Sequence, residues 1–327
     1  MMHQLPGHAL PNNSKDSRED ALFHYTTGTG LLGILSNSEI WGTAYYCAND
    51  QSELRTGMGV LTPIFRSKTH DMIKEADPRV NIFRSRGIDI RDYADRFEQI
   101  ILSRALNIFC VYITCFCKPS SKEDFLHGLL SQWRGYGVDG GYALQFSRAK
   151  LNNFIERANK DKGLNYYLQD VYYTPENPLK DEIDNYTDAF IGAYLDWLET
   201  LAKWDFIKKT MQNPIASLLN GPLKSFLDYI IHTKSSHFGE EKECRMSILE
   251  PISSEMGVLP VDYFNRKGLI IPFTRTPREL NIIDCVEWII IGPGQRIEDR
   301  FNSIRQMVRK MGLKIQVRPS HIPLSRA

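Results

Sequence analysis

Ile108 to Phe116 is an apolar run bounded by Asn107 and by Cys117-Lys118-Pro119. It is too short to cross a bilayer and too uniformly apolar for a half-solvated strand. Its reading is a central strand buried on both faces, with Val111, Tyr112 and Ile113 at its middle. A strand of that kind needs partners along both edges and cover on both sides. The rest of the chain therefore has to supply a sheet of several strands and enough helix to cover it.

The other elements fit that demand. Residues 1–20 are polar and read as a flexible leader, so order is expected from Ala21. Leu22-Phe23-His24-Tyr25-Thr26 alternates and reads as a strand. A Thr27-Gly28-Thr29-Gly30 turn, a short helix carrying Leu31, Leu32, Ile34 and Leu35, and a strand from Glu39 to Thr43 complete a first unit. Asn49-Asp50 can cap a following helix containing Glu53 and Leu54. Leu126 to Arg134 reads as one helix, Tyr142 to Phe146 as a strand, Lys150 to Asp161 as a helix and Tyr166 to Tyr173 as a strand. Leu269 to Phe273, Val286 to Ile291 and Ile315 to Val317 are β-like, and Arg296 to Met311 is an amphipathic helix. Two segments stand apart, a mixed-charge helical excursion at about 60–105 and a helical insertion at about 179–232. Strands scattered through the chain with helices between them give an α+β class, in one domain spanning 21–327.

Composition excludes some functions. The net charge is +1, which gives no overall field toward nucleic acid or anionic lipid. Arginines and lysines between 66 and 92 are interleaved with acids, which argues against a nucleic-acid patch there. The leader has no apolar signal core, and the six cysteines lack disulfide-type spacing, so a reduced cytoplasm is expected. No apolar run reaches membrane-span length, so no membrane partner is expected. There is no Walker-type loop, His-Glu-x-x-His or Gly-x-Ser-x-Gly. Cys115 and Cys117 have no second ligand cluster and read as small buried hydrophobes. No metal is expected.

What remains is a set of polar residues on or beside short strands. Glu240-Glu241-Lys242-Glu243-Cys244-Arg245-Met246-Ser247-Ile248 is the densest. In an extended chain Glu241, Glu243 and Arg245 share one face, and Cys244, Met246 and Ile248 point into a core. The charged face can serve a reaction centre or be a plain salt-bridge ladder. His24, Tyr25 and Thr26 form a second group, although a lone histidine at a strand start is commonly structural. Trp133, Arg134 and Tyr136 form a third, within Gln132-Trp133-Arg134-Gly135-Tyr136-Gly137. They can grip a ligand or make a packing corner.

In order, Phe23-His24-Tyr25-Thr26, Leu31 to Trp41, Asn49-Asp50-x-x-Glu53-Leu54, Gln132 to Gly137, Phe238-x-x-Glu241-x-Glu243-x-Arg245, Ile289 to Pro293 and Ser320 to Pro323 resemble the bacterial domain-of-unknown-function family 2971. The likeness runs from about residue 21 to 323. The first strand, glycine turn and helix also resemble ADP-ribosyltransferase folds of the His-Tyr-Glu type. That resemblance implies a split mixed β-sheet gripping NAD, with NAD consumed as substrate and a setting in toxin or phage-defence biology. It implies that His24 bonds the nicotinamide-side ribose, with Thr26 and Tyr25 beside it. Glu243 would hold the ribose 2′-hydroxyl and stabilise an oxocarbenium-like transition state, as in glycoside cleavage. Glu241 would act as base toward an acceptor. The middle aromatic stays open among Tyr45, Tyr46 and Tyr136. Arg134 would pair with pyrophosphate, Trp133 or Tyr136 would stack on a ring, and Arg245 would hold the carboxylates. Two further readings stand beside this one: a non-catalytic module binding nucleotide or nucleic acid, and a metal-dependent nuclease using Glu241 and Glu243.

Overall fold

The computed structural model describes residues 18–47, 109–136, 140–174, 222–251 and 259–323, with residue 192 and parts of 56–85. Its first elements are β1 (Ala21–Thr26), α1 (Gly28–Asn37), β2 (Trp41–Ala44), α2 (Pro78–Ser85) and β3 (Phe109–Cys117). There follow α3 (Lys122–His127), α4 (Leu130–Tyr136), β4 (Tyr142–Ser147), α5 (Arg148–Lys162), β5 (Tyr166–Asp170) and β6 (Tyr172–Thr174). The last are α6 (Pro222–Ile231), β7 (Thr233–Ser235), β8 (Glu243–Pro251), β9 (Val261–Arg266), β10 (Leu269–Arg275), β11 (Val286–Ile291), α7 (Ile297–Lys310) and β12 (Gln316–Pro319). This is a mixed α+β structure. The expected helix at Asn49–Leu54 lies outside the described residues, as do most of the 60–105 excursion and nearly all of 179–221.

The apolar run is the hub of the sheet. One edge of β3 pairs with β8 over its whole length, from Phe109 opposite Pro251 to Cys117 opposite Glu243. The other edge is shared: β2 pairs with its middle at Tyr112 and Ile113, and β1 touches its end at Cys117. The sheet therefore forks at β3. One branch runs β1-β4-β11-β12 and the other β2-β10-β9, while β8 continues to β5, ten strands among the described residues. Among the described residues, only β11 and β12 run parallel within this sheet; β6 and β7 form a separate parallel pair.

The pleat sorts the side chains. Residues directly opposite each other point to the same face. Leu22, Leu144, Phe116, Cys244, Met246 and Ile289 build the main core, covered by Leu31, Ile34 and Leu35 of α1, Leu151, Phe154 and Ile155 of α5, and Phe301, Ile304 and Val308 of α7. Phe23, Tyr25, Cys117, Ala143 and Ile290 face the other way and pack with Leu129 and Trp133. The helices on the main-core side are locally well specified. Thr27 accepts the Gly30 N–H at the start of α1, and Ser147 accepts the Lys150 N–H at the start of α5.

Several expected boundaries move for identifiable reasons. The single helix at Leu126–Arg134 is two helices, because Gly128 sits at φ 79 and ends α3. The strand at Tyr166–Tyr173 breaks at Val171, and Tyr172–Thr174 joins β7 in the second sheet. Glu241 is not in a strand. It ends a tight helical turn over Ser236–Glu241, Lys242 turns at φ 47, and β8 begins at Glu243. Strand β9 is half exposed, and its apolar residues Val261, Tyr263 and Phe264 do not alternate, so its sequence carries no strand period.

Candidate functional site

Glu243 opens β8 opposite Cys117, and the alternation expected from sequence holds beyond it: Cys244, Met246 and Ile248 enter the main core. Glu243, Arg245 and Ser247 take the opposite face and are buried there, Glu243 at 4% exposure. Arg245 Nε donates to Glu243 Oε1 at 2.8 Å, and Nη2 to Oε2 at 3.1 Å. Its Nη1 donates to the Ile231 carbonyl at 2.5 Å, tying the strand to the end of α6. Lys234 of β7 donates to Glu243 Oε2 at 3.1 Å and to Glu241 Oε2 at 2.6 Å, with Nζ 4.8 Å from the centre of the Phe238 ring. Two carboxylates and two cations thus form one closed network. Below it, the Glu243 N–H donates to the Tyr173 hydroxyl at 2.7 Å.

The electrostatics follow from this closure. Burial alone would raise the Glu243 pKa, but the Arg245 charge and hydrogen bonds, Lys234 and the Cys115 thiol hold it at about 2. Glu243 is therefore a permanent anion at neutral pH. Burial, reinforced by Glu243 and Glu241, pushes the Cys117 thiol well up, so it stays neutral. Cys115, expected to be buried, is exposed where β1 leaves the edge of β3.

His24 lies elsewhere. It pairs with Leu144, and its ring centre is 5.8 Å from that of Phe116, both residues of the main-core face. Phe23 pairs with Cys117, which pairs with Glu243, so His24 and Glu243 point to opposite faces of the sheet. Their strands are two spacings apart, roughly 10 Å. His24 Nδ1 is 3.0 Å from the Cys115 carbonyl oxygen, and burial lowers its pKa despite that bond.

The remaining candidates separate as well. The Tyr25 hydroxyl accepts the Leu129 N–H at 2.6 Å, and its ring meets Trp133 edge-on at 4.8 Å. Thr26 ends β1, and its hydroxyl fills the place a Cβ on Gly30 would need, 2.0 Å away. Trp133 is fully buried, with Nε1 donating to the His127 carbonyl at 2.8 Å. It makes a packing corner, while Arg134 at the next position is exposed. The Tyr136 side chain lies outside the described residues. Tyr46 is exposed at 54%, on a short turn after β2, whereas Tyr45 is buried with its hydroxyl 3.4 Å from the Ile230 carbonyl.

Sequence reasoning missed three participants. Lys234 sits just past the stretch read as insertion, on the three-residue strand Thr233–Ser235, with no motif around it. His232 is buried with Nε2 3.4 Å from Ser247 Oγ, and its Nδ1 is 2.8 Å from the Asp228 carbonyl and 3.4 Å from Asp228 Oδ1. The serine is fully buried, so this arrangement fastens α6 onto β8 rather than presenting a nucleophile. Arg318 is buried under α3 and bonds the carbonyls of Phe125 and Leu126. A patterned reading could have flagged it as the one cation in Ile315–Val317 and its continuation. Among the described residues, no group of three or more His, Cys, Asp or Glu is placed to hold a metal ion, and no helix is long and apolar enough to cross a membrane.

The forked sheet and its ion-paired strand define a mixed α+β protein. Residues 132–246, about a third of the chain, match the family described as protein of unknown function, DUF2971. That stretch runs from the Trp133 helix through the Glu243–Arg245 strand and supports the family to which the ordered motifs point. No curated protein and no solved structure matches the chain.

Proposed function

We propose that this protein is a nucleotide-binding module built on a forked sheet, with Glu243 as a structural anion and no NAD turnover at that residue. The observation that carries this reading is the condition of Glu243. A carboxylate that holds a ribose hydroxyl needs a free oxygen facing a shared cleft. Here both oxygens are taken by Arg245 and Lys234, and His24 lies on the other face. The ligand class comes from the resemblance to NAD-gripping folds. The test is calorimetry of the purified protein with NAD and ATP, alongside chromatographic assay of nicotinamide release. Binding without release is the expected result. Nicotinamide release that vanishes in Glu243→Gln and in His24→Ala, both still folded by near-ultraviolet circular dichroism, would overturn it.

A second reading, an NAD-consuming ADP-ribosyltransferase, is favoured by the fork itself. Strands β1 and β2 diverge from one edge of β3, which supports a split sheet, and the gap leaves Cys115 exposed beside the Glu243 carboxylate. In that reading the Lys234 segment would have to swing away to free Glu243. Its signature is nicotinamide release that rises in Lys234→Ala.

A further inference from the structure

The free margin of the sheet carries a different feature. β12 is the last strand of its branch, and a cavity of about 580 Å³ runs around it between α7 and Trp288. Its floor is apolar, from Val308, Ile315 and Val317, all buried. Its rim is polar: Asn302, Arg305, Gln306 and Arg309 of α7 on one side and Gln316 on the other, all exposed. The four helix positions are spaced three and four apart, so they lie on one face. Among the described residues, no acid lines the cavity. Neither arginine has a carboxylate partner among the described residues; Arg305 only lies over the Phe301 ring, 5.2 Å from its centre.

We propose that this cavity binds a nucleotide through its phosphates, with Arg305 and Arg309 gripping the phosphate chain and the apolar floor receiving the base. The proposal rests on the nucleotide-module reading and adds to it a place and a ligand class. The volume is that of small-ligand sites. Two guanidiniums one helical turn apart, about 6 Å along the axis, suit a chain of adjacent phosphates, since guanidinium forks pair with phosphate oxygens in a bidentate manner. The amides of Asn302, Gln306 and Gln316 add neutral donors and acceptors that can read a base or ribose. The site is five inter-strand steps from Glu243, roughly 24 Å. Changes at one therefore leave the other untouched.

Calorimetry of the full chain with ATP, AMP, adenosine, tripolyphosphate and a short polyglutamate peptide tests this, with Arg305→Gln and Arg309→Gln as variants. Both arginines are exposed, Arg305 within α7 and Arg309 in its last turn, and glutamine is a good helix former, so the substitutions keep the fold. ATP should bind more tightly than AMP and adenosine, and each substitution should weaken it by about tenfold, the loss of one charge-assisted contact. ATP binding unchanged in the double variant overturns the location and leaves the module reading standing. Arginine-dependent binding of tripolyphosphate with no gain from the nucleoside, or of polyglutamate as tightly as ATP, overturns the nucleotide assignment. No binding by any nucleotide overturns both.

Discussion

Arg245 holds both carboxylate oxygens of Glu243, two residues earlier on the same strand, and anchors itself through Nη1 to the Ile231 carbonyl. Same-face neighbours on a strand rarely bond so closely, because their Cβ atoms are separated by two residues of rise. Here the pair is sealed by α6 and β7, so removing one member leaves the other charged and buried. Arg245→Met should therefore destabilise the protein by roughly 3–5 kcal/mol. Arg245→Met with Glu243→Leu should recover a good part of that loss. Urea unfolding of the two single variants and the double variant measures the coupling, and strictly additive losses would refute it.

The same pair sets an acid limit on stability. The Glu243 pKa is about 2 in the folded protein against an ordinary 4.5. A depressed carboxylate pKa means that the unfolded chain binds the proton first. The stabilisation is therefore complete above pH 4.5 and is lost as pH falls from there toward 2. The full effect is about 3 kcal/mol. Denaturation midpoints at pH 7, 4.5 and 2.5 should fall more steeply for wild type than for Glu243→Gln across the lower interval. Parallel curves would show that Glu243 is not the group responsible.

Trp133 is held by glycines on two sides. A Cβ on Gly128 would lie 2.8 Å from its Nε1, at a backbone φ of 79. A Cβ on Gly292 would lie 2.7 Å from both the ring and the Gly141 carbonyl. Gly128→Ala and Gly292→Ala should each cost roughly 1–3 kcal/mol. Gly135→Ala is the control: nothing lies within 4 Å of its added carbon, and it sits in α4. It should be neutral or stabilising by about 0.5–1 kcal/mol. Thermal unfolding of the three variants separates packing from helix propensity.

The two-sided core was legible because each strand states its own period. Ile108–Phe116 declared a buried hub, and Cys244, Met246 and Ile248 declared the inward face of β8. The grouping of Glu241, Glu243 and Arg245 was legible too, although Glu241 arrives from a turn and through Lys234. What could not be read was how one strand's face registers with another's. His24 and Glu243 look like partners in sequence, and only the pairing of Phe23 with Cys117 and of Cys117 with Glu243 shows them facing apart. A single-residue shift would reverse that answer, and neither hairpin turn nor motif fixes the register over so long a separation. Lys234 and His232 were hidden for a related reason. Their neighbours give no periodic signal, and their role exists only once α6 has docked.

Arg318 carries the last expectation. It is 6% exposed and, among the described residues, has no carboxylate partner; its Nε and Nη2 donate to the Leu126 and Phe125 carbonyls at 2.8 and 2.6 Å, and Nη2 also to Gln145 Oε1 at 2.7 Å. Those carbonyls are the unpaired end of α3, where a cation is favoured. The indole of Trp288, 4.4 Å from the guanidinium carbon to the ring centre, supplies the remaining attraction. Burial without a counter-ion brings the guanidinium pKa down to about 9, still charged at neutral pH. Lysine cannot reach three acceptors in a plane, so Arg318→Lys should lose nearly as much stability as Arg318→Met, roughly 2–4 kcal/mol. Because α3 leads through Gly128 to Trp133, hydrogen exchange at Leu126–Trp133 should accelerate in both variants before the rest of the sheet. Exchange that stays slow there, or full rescue by lysine, would show that the charge and not the planar fork holds the helix.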